Sequence, residues 1–428
     1  MALSTQPYKG TRDFYPDEMR LRRWMFGRLR ETVESFGYQE YDGPMLEPFE
    51  LYAAKTGEEI VNQQLYWMMD RGDRKLAVRP EMTPTLARMV AGKLQDLPRP
   101  IRWYSIPNLW RYERPQKGRL REHWQLNVDV LGGDTVLADA EVITVALSLM
   151  RAFGAQTKIS VRVNNRRLMD YFYAKLGLSA EAAVKVTKAM DARAKIGEEG
   201  YAKWLGEIGV SEEQRAEIEE FGKLSLDQVK SRYACDGAEE IGKLFARLKE
   251  SGHEEGVVFD SSVLRGMDYY TGNVFEIYDV SGENRRAMFG GGRYDNLIGL
   301  FGNQKLSGVG FGMGDVTLRD FLETHALLPK SEGNIDVFVS LPKPEFFVAA
   351  EQIAQDLRAA GLKVMTPLEV GGFGAQLKQA TRHQAKVVVL FGDAEWAEKK
   401  VLVKHLSSAR QITVSLDDLL RSIHELTH

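Results

Sequence analysis

The chain switches between two periodicities, and the switches mark its elements. Leu21, Trp24, Met25, Leu29, Val33 and Phe36 recur at helical spacing, forming one apolar stripe. Pro16 suits the first turn of that helix and Gly37 ends it. An extended, proline-punctuated stretch follows, Tyr38-Gln-Glu-Tyr-Asp-Gly-Pro-Met-Leu-Glu-Pro48. Tyr66-Trp-Met-Met69 and Lys75-Leu-Ala-Val-Arg79 flank the turn Asp70-Arg-Gly-Asp73 and predict a hairpin. Arg79-Pro-Glu-Met-Thr-Pro84 then passes into a helix rich in Ala, Leu, Arg and Met, with Glu81 and Thr83 at the strand-to-helix corner. Read alone, Thr83 is a helix cap and Glu81 a carboxylate favoured near a helix N-terminus.

The sharpest pattern is Trp110-Arg-Tyr-Glu-Arg-Pro-Gln-Lys-Gly-Arg-Leu-Arg-Glu-His-Trp-Gln-Leu-Asn-Val-Asp129, a strand, a basic loop and a returning strand. Residues two apart share a face of a strand. Arg111 and Glu113 are therefore expected to point one way on the incoming strand. On the returning strand Gln125, Asn127 and Asp129 share one face, and Trp124, Leu126, Val128 and Val130 share the other. The apolar face must pack, which leaves a polar sheet surface suited to a polar ligand. Arg114, Lys117, Arg119 and Arg121 give the loop enough positive charge to meet phosphates.

From about residue 166 to 256 the texture becomes helical, dominated by Ala, Glu, Lys, Leu and Arg, with breaks at Glu198-Glu-Gly200 and Gly209-Val-Ser-Glu-Glu213. Its charge runs read as solvated helix faces. Sheet texture returns with Gly256-Val-Val-Phe-Asp260 and Val274-Phe-Glu-Ile-Tyr278, then Gly290-Gly-Gly-Arg-Tyr-Asp295 and Ser307-Gly-Val-Gly-Phe-Gly-Met-Gly314. Glycines at 308, 310, 312 and 314 strip one strand face of side chains, leaving room for a flat adenine ring. The run is not a dinucleotide fingerprint, because no strand–helix–strand surrounds it in register. Residues 328–334 read as a linker. Beyond them a βαβαβ pattern, two more strands and a last helix make a compact α/β domain over 335–428. Gly371-Gly-Phe-Gly374 is not read as a phosphate loop, since no Gly-Lys-Ser/Thr follows.

A chain of 428 residues suggests two or three domains. The N-terminus lacks a basic segment followed by an apolar one, and no run of eighteen apolar residues occurs, so neither a signal peptide nor a membrane span is expected. The single cysteine, Cys235, fits a reducing cytoplasm. Seven scattered histidines give no metal-ligand spacing, so no structural metal site is expected. The net charge of −3 gives no support to nucleic-acid binding except through local patches.

With these residues in hand, the chain resembles the histidyl-tRNA synthetase family of class II aminoacyl-tRNA synthetases. Residues 111–129 resemble motif 2 of the class, 38–48 resemble motif 1, and 307–314 resemble motif 3. Arg265-Gly-Met-Asp-Tyr-Tyr-Thr-Gly272 resembles the signature that sets the histidyl enzymes apart. The resemblance implies an α+β catalytic domain with an antiparallel sheet over 1–165 and 257–327, a helical insertion over 166–256 lying over the tRNA acceptor stem, and an α/β domain of anticodon-binding type. It implies ATP-dependent ligation of L-histidine to tRNA(His) through a histidyl-adenylate, with Mg2+ carried on the ATP phosphates, in a cytoplasmic homodimer built on motif 1.

Carried over residue by residue, the resemblance makes Arg111 and Arg265 the catalytic arginines at the α-phosphate. Glu81, Met82, Thr83, Arg111, Gln125, Asp129, Arg265, Tyr269 and Tyr270 would bind histidine. Asp129 and Tyr270 would meet its ring nitrogens, and Glu81, Thr83 and Gln125 its ammonium group. Arg111, Glu113, Arg119, Arg121, Gly312 and Gly314 would hold ATP, and Gln116, Lys117 and Arg121 would meet the tRNA.

One position departs from the pattern. Motif 3 usually places an arginine in the first turn of its helix, where this chain has Thr317. Arg319 is about 200° further round a helix and cannot simply substitute; the alternatives are that Arg119, Arg121 or Arg293 covers the γ-phosphate, or that the nucleotide sits slightly differently. The departure also raises an alternative, a non-catalytic histidine-sensing regulatory subunit of ATP phosphoribosyltransferase. Against it stand the C-terminal α/β domain, the basic loop, and Arg111, Glu113, Gln125 and Arg265.

Overall fold

A computed structural model of the chain describes residues 3–53, 60–263, 269–283, 286–302, 305–329, 333 and 335–427. It divides into two compact units, Met1–Leu328 and Pro329–His428.

In chain order the first unit carries β1 (Gln39–Glu40), β2 (Leu46–Pro48), β3 (Trp67–Met69), β4 (Lys75–Val78), β5 (Ile101–Ser105) and β6 (Asn108–Trp110). Then come β7 (Glu122–Leu131), β8 (Ile159–Asn165), β9 (Val257–Phe259), β10 (Asn273–Asp279), β11 (Phe289–Tyr294) and β12 (Gly308–Gly314). A nine-stranded sheet runs β1-β5-β7-β12-β11-β10-β8-β9, with β6 also on β7, and is antiparallel except at β1–β5 and β8–β9. β2, β4 and β3 form a separate small sheet.

The alternation read on 124–130 explains how the large sheet is covered. Leu126, Val128 and Val130 enter the main core with Val309, Phe311 and Met313 of β12, and Trp124 packs against it. Helices Pro16–Ser35, Thr135–Ala152, Asp236–Glu250 and Asp315–Thr324 supply the other side of that core through residues such as Leu29, Val142, Leu244 and Phe321. The opposite face carries Gln125, Asn127 and Asp129. It is bounded by helix Thr83–Gly92, which packs in a second apolar cluster with Tyr269 and Tyr294.

Three boundaries differ from expectation. The incoming motif 2 strand ends at Trp110, before Arg111 and Glu113, because the Glu113 N–H turns back onto Arg111 O at 2.7 Å. The helical module kinks at Gly197 (φ 72°) rather than at 198–200, and Gly209 (φ 88°) caps that helix. The module keeps a core of its own, including Phe172, Tyr201 and Phe221. Its last helix, Asp236–Glu250, instead places Ile241, Leu244 and Leu248 in the main core.

The second unit has β13 (Ile335–Val339), β14 (Val364–Met365), β15 (Ala385–Leu390), β16 (Lys400–His405) and β17 (Gln411–Ser415), ordered β14-β13-β15-β16-β17. The first three strands are parallel and the last two antiparallel to their neighbours. Helices Phe347–Ala359 and Leu419–Thr427 pack one face of this sheet, and Ala380 of helix Phe373–Arg382 packs the other.

Candidate active site

A cavity of about 360 Å³ opens over the polar face of the large sheet. Glu81, Thr83, Arg111, Arg119, Gln125, Asp129, Tyr269, Tyr270 and Gly312 line it, together with Asn127, Glu276 and Tyr294. Residues as distant as 81 and 312 thus converge, because β7 lies beside β12 and helix Thr83–Gly92 closes one side.

Asp129 is buried, and Tyr294 donates to its Oδ1 at 2.6 Å. Burial pushes the Asp129 carboxyl up to about 7, while the Tyr294 hydrogen bond pulls the other way. Tyr269 donates to Glu81 Oε2 at 3.2 Å, and both are buried. Burial and nearby carboxylates hold the Tyr269, Tyr270 and Tyr294 phenols protonated, so all three are donors at neutral pH.

The glycines of β12 make room for the protein's own side chains. A Cβ on Gly310 would stand 2.1 Å from Asp129 Oδ1, one on Gly312 2.1 Å from Gln125 Nε2, and one on Gly308 2.4 Å from the Tyr294 ring. Gly310 and Gly312 still line the cavity, so part of this bare strand face is open to it. Asp129 sits across from Gly310 and Asn127 across from Gly312, so bare backbone lets the polar row of β7 lean over its neighbour.

Arg111 is fixed by its Nε, which donates to Pro80 O at 2.9 Å, and its Nη1 lies 3.9 Å from Glu113 Oε1. Glu113 also meets Arg119 Nη1 at 3.3 Å, so one carboxylate ties two cavity-side guanidiniums together. Past Arg111 the chain makes a tight turn, with reciprocal backbone bonds between Gln116 and Arg119 of 3.0 and 2.9 Å around Lys117 and Gly118 (φ 76°). Gln116 and Lys117 are exposed at this tip. Thr317 lies under it: a Cβ on Gly118 would meet Thr317 Cγ2 at 3.3 Å, and the Gly118 N–H bonds the Asp320 carboxyl.

Other residues singled out from the sequence lie elsewhere. Met82 turns into the apolar cluster of helix Thr83–Gly92, and its Sδ lies 4.0 Å from Arg79 Nη1. As N-cap of that helix it leaves Thr83 inside, lining the cavity rather than capping. Arg121 is held outside by Tyr8 Oη, by Glu113 O at 3.2 Å and by the Tyr112 ring, 4.1 Å below its guanidinium. Gly314 is the N-cap of helix Asp315–Thr324. Arg265 lies outside the described residues.

Arg293, suggested above as a phosphate clamp, cannot reach the cavity. It faces the other side of β11 from Tyr294 and is buried, its Nη2 2.6 Å from Asp139 and 2.7 Å from Thr135 O. Tyr294 is the site residue that sequence reading passed over. It stood in the quoted 290–295 run, and alternation from Gly290 places it on the cavity face, but only the register Tyr294–Gly308 brings it near Asp129. Among the described residues no His/Cys/Asp/Glu group has metal-site geometry, and no helix is long and apolar enough to cross a membrane.

The description of histidyl-tRNA synthetase matches residues 10–316, and that of an anticodon binding domain matches 334–426. A histidine–tRNA ligase from Leptospira biflexa is 44% identical, over 99% of this chain and 98% of its own. The chloroplastic/mitochondrial histidine–tRNA ligase of Arabidopsis thaliana is 37% identical over 97% of this chain and 86% of its own. The crystal structure of histidyl-tRNA synthetase from Nostoc sp. PCC 7120 superposes with a TM-score of 0.85 at 26% identity, covering 99% of this chain and all of its own. With a family match across most of its length and relatives this similar from end to end, the chain belongs to the histidyl-tRNA synthetase family.

Proposed function

We propose that the protein joins L-histidine to tRNA(His) in two steps, and that the cavity over β7 and β12 is where both occur. The observation that carries the reading is the pairing of a buried carboxylate–phenol couple, Asp129 and Tyr294, with a guanidinium, Arg111, in one cavity. A histidine ring offers one N–H and one lone pair. Asp129 accepts the N–H, and the Tyr270 phenol donates to the second nitrogen. Glu81, Thr83 and Gln125 surround the ammonium group, with Tyr269 fixed by Glu81 beside the ring. Another amino acid would leave these buried groups unpaired at about 1–3 kcal/mol each.

In the first step the histidine carboxylate attacks the α-phosphorus of ATP. The new bond is carboxyl oxygen to phosphorus, and pyrophosphate leaves with the electrons of the broken P–O bond. Two anions must meet, so cations at the α-phosphate lower the barrier. Arg111 fills that role, its Nε spent on Pro80 O and its outer nitrogens turned to the phosphate; Arg265 is assigned the opposite side on the resemblance alone. Arg119 serves the outer phosphates, which arrive with Mg2+ bound. In the second step the terminal ribose hydroxyl of the tRNA attacks the activated carbonyl and AMP departs. Gln116 and Lys117 stand exposed on the tip that would meet the acceptor end. The second unit belongs with the anticodon.

The protein acts as a cytoplasmic homodimer in this reading. Met45, Leu46, Trp67, Met68 and Met69 stand exposed at the small β2-β4-β3 sheet, an apolar patch next to motif 1 that a second copy would cover. Histidine-dependent ATP–pyrophosphate exchange, run beside the other nineteen amino acids, tests the reading. Exchange with histidine alone is expected. Histidine binding without exchange would replace it with the regulatory function that Thr317 raised.

A further inference from the structure

Behind the two pocket tyrosines lies a chain of polar contacts that the reaction itself does not use. Thr271 follows Tyr270, and its hydroxyl donates to Asp295 Oδ2 at 2.7 Å. Its N–H donates to Arg293 O at 2.8 Å, so the turn is pinned to the end of β11 by both side chain and backbone. Asp295 Oδ2 also receives Arg167 Nη2 at 3.2 Å. The other end of that guanidinium pairs with Glu240, on helix Asp236–Glu250. One residue earlier, the Arg166 N–H donates to Gly272 O at 2.9 Å. The helix Arg166–Lys175 that opens the inserted module is therefore stitched to the far end of the histidine turn.

These contacts leave the turn little freedom of its own. Shifting Tyr269 and Tyr270 moves Thr271, which moves Asp295, which strains Arg167 against Glu240. We propose that Arg167 is a positioning residue for Tyr269 and Tyr270, so that the seating of the helical module and the binding of histidine are energetically coupled. The inference rests on the histidine reading above. Coupling of this kind is reciprocal: whatever fixes the module tightens histidine, and histidine steadies the module.

Arg167 separates this role from simple support of the fold. Its side chain is 46% exposed, and exposed ion pairs contribute little to stability. Arg293 and Asp139, at 5% and 4% exposure, form the buried frame behind it and would test only folding.

The experiment is Arg167→Gln, alone and with Thr271→Val, read by thermal midpoint, by pyrophosphate exchange and by calorimetric titration with histidine. Arg167→Gln should weaken histidine at least about fivefold in KM and in Kd, the low end of ordinary coupling. Its kcat and midpoint should stay close to those of the parent. The double variant should lose no more than Thr271→Val does, since both act through Asp295. Unchanged histidine affinity in Arg167→Gln, or fully additive losses, would overturn the proposal. So would an affinity loss accompanied by a matching fall in midpoint. A parent that binds histidine without exchange would sink the enzyme reading while leaving the Kd comparison intact.

Discussion

Asp129 is held where a carboxylate is least comfortable, buried against Tyr294 with its pKa at about 7. An unfolded aspartate titrates near 3.9, so the folded chain holds this proton more tightly than the unfolded one. Below about pH 4 the group therefore costs nothing; the cost grows as pH rises and is complete above about pH 7. Asp129→Asn should raise the thermal midpoint at pH 8 and change it much less at pH 5, while histidine KM climbs at both. Melting curves and exchange kinetics at the two pH values check this. The carboxylate was legible in the sequence from its place in the 125–129 alternation. Its partner was not, because Tyr294 is 165 residues away and meets it through register alone. The arginines show the same limit: Arg111 and Arg293 are equal as letters, yet parity on β11 turns Arg293 to Asp139, while Arg111, just past the end of β6, is aimed at the cavity by its Nε bond to Pro80 O.

At the scale of elements, the β7–β12 pair shows most plainly why pattern reading went only part of the way. Alternation along 124–130 placed the core face and the polar face of β7 correctly. The glycines of β12 were visible too, but not what they accommodate, since that depends on which neighbour lies across them. Gly310→Ala would put a methyl 2.1 Å from Asp129 Oδ1 and 2.5 Å from Val128 O, the latter backbone that cannot swing away. The expected loss is about 1–3 kcal/mol or more, together with histidine binding, measurable by denaturant titration and calorimetry. The motif 2 turn answers to a different test. Lys117→Ala, at an exposed tip beyond the cavity, should leave pyrophosphate exchange intact and weaken tRNA binding. The slope of log affinity against log salt should become shallower by about one.

For the whole molecule, the division near residue 328 was legible because a βαβ pattern restarts after a polar linker, and each unit has its own core. The exposed patch at the small sheet makes a prediction at this scale. Trp67→Asp should shift the protein to half its mass in size-exclusion chromatography while leaving its helical signal unchanged; an unshifted peak would move the dimer contact elsewhere. The reach of the helical module was harder to read, because its amino-acid usage continues through Asp236–Glu250, a helix that the main core claims. That helix also delivers the chain to β9, which runs parallel to β8 with Val161 opposite Val257. Parallel neighbours cannot be closed by a tight turn; they need a crossover of a dozen or more residues. The inserted segment is therefore the sheet's own crossover, elongated, and not an ornament on a loop. A minimal synthetase cut from this protein could shed the stretch 180–232, but it would have to keep Asp236–Glu250 as the return path or lose its edge strand.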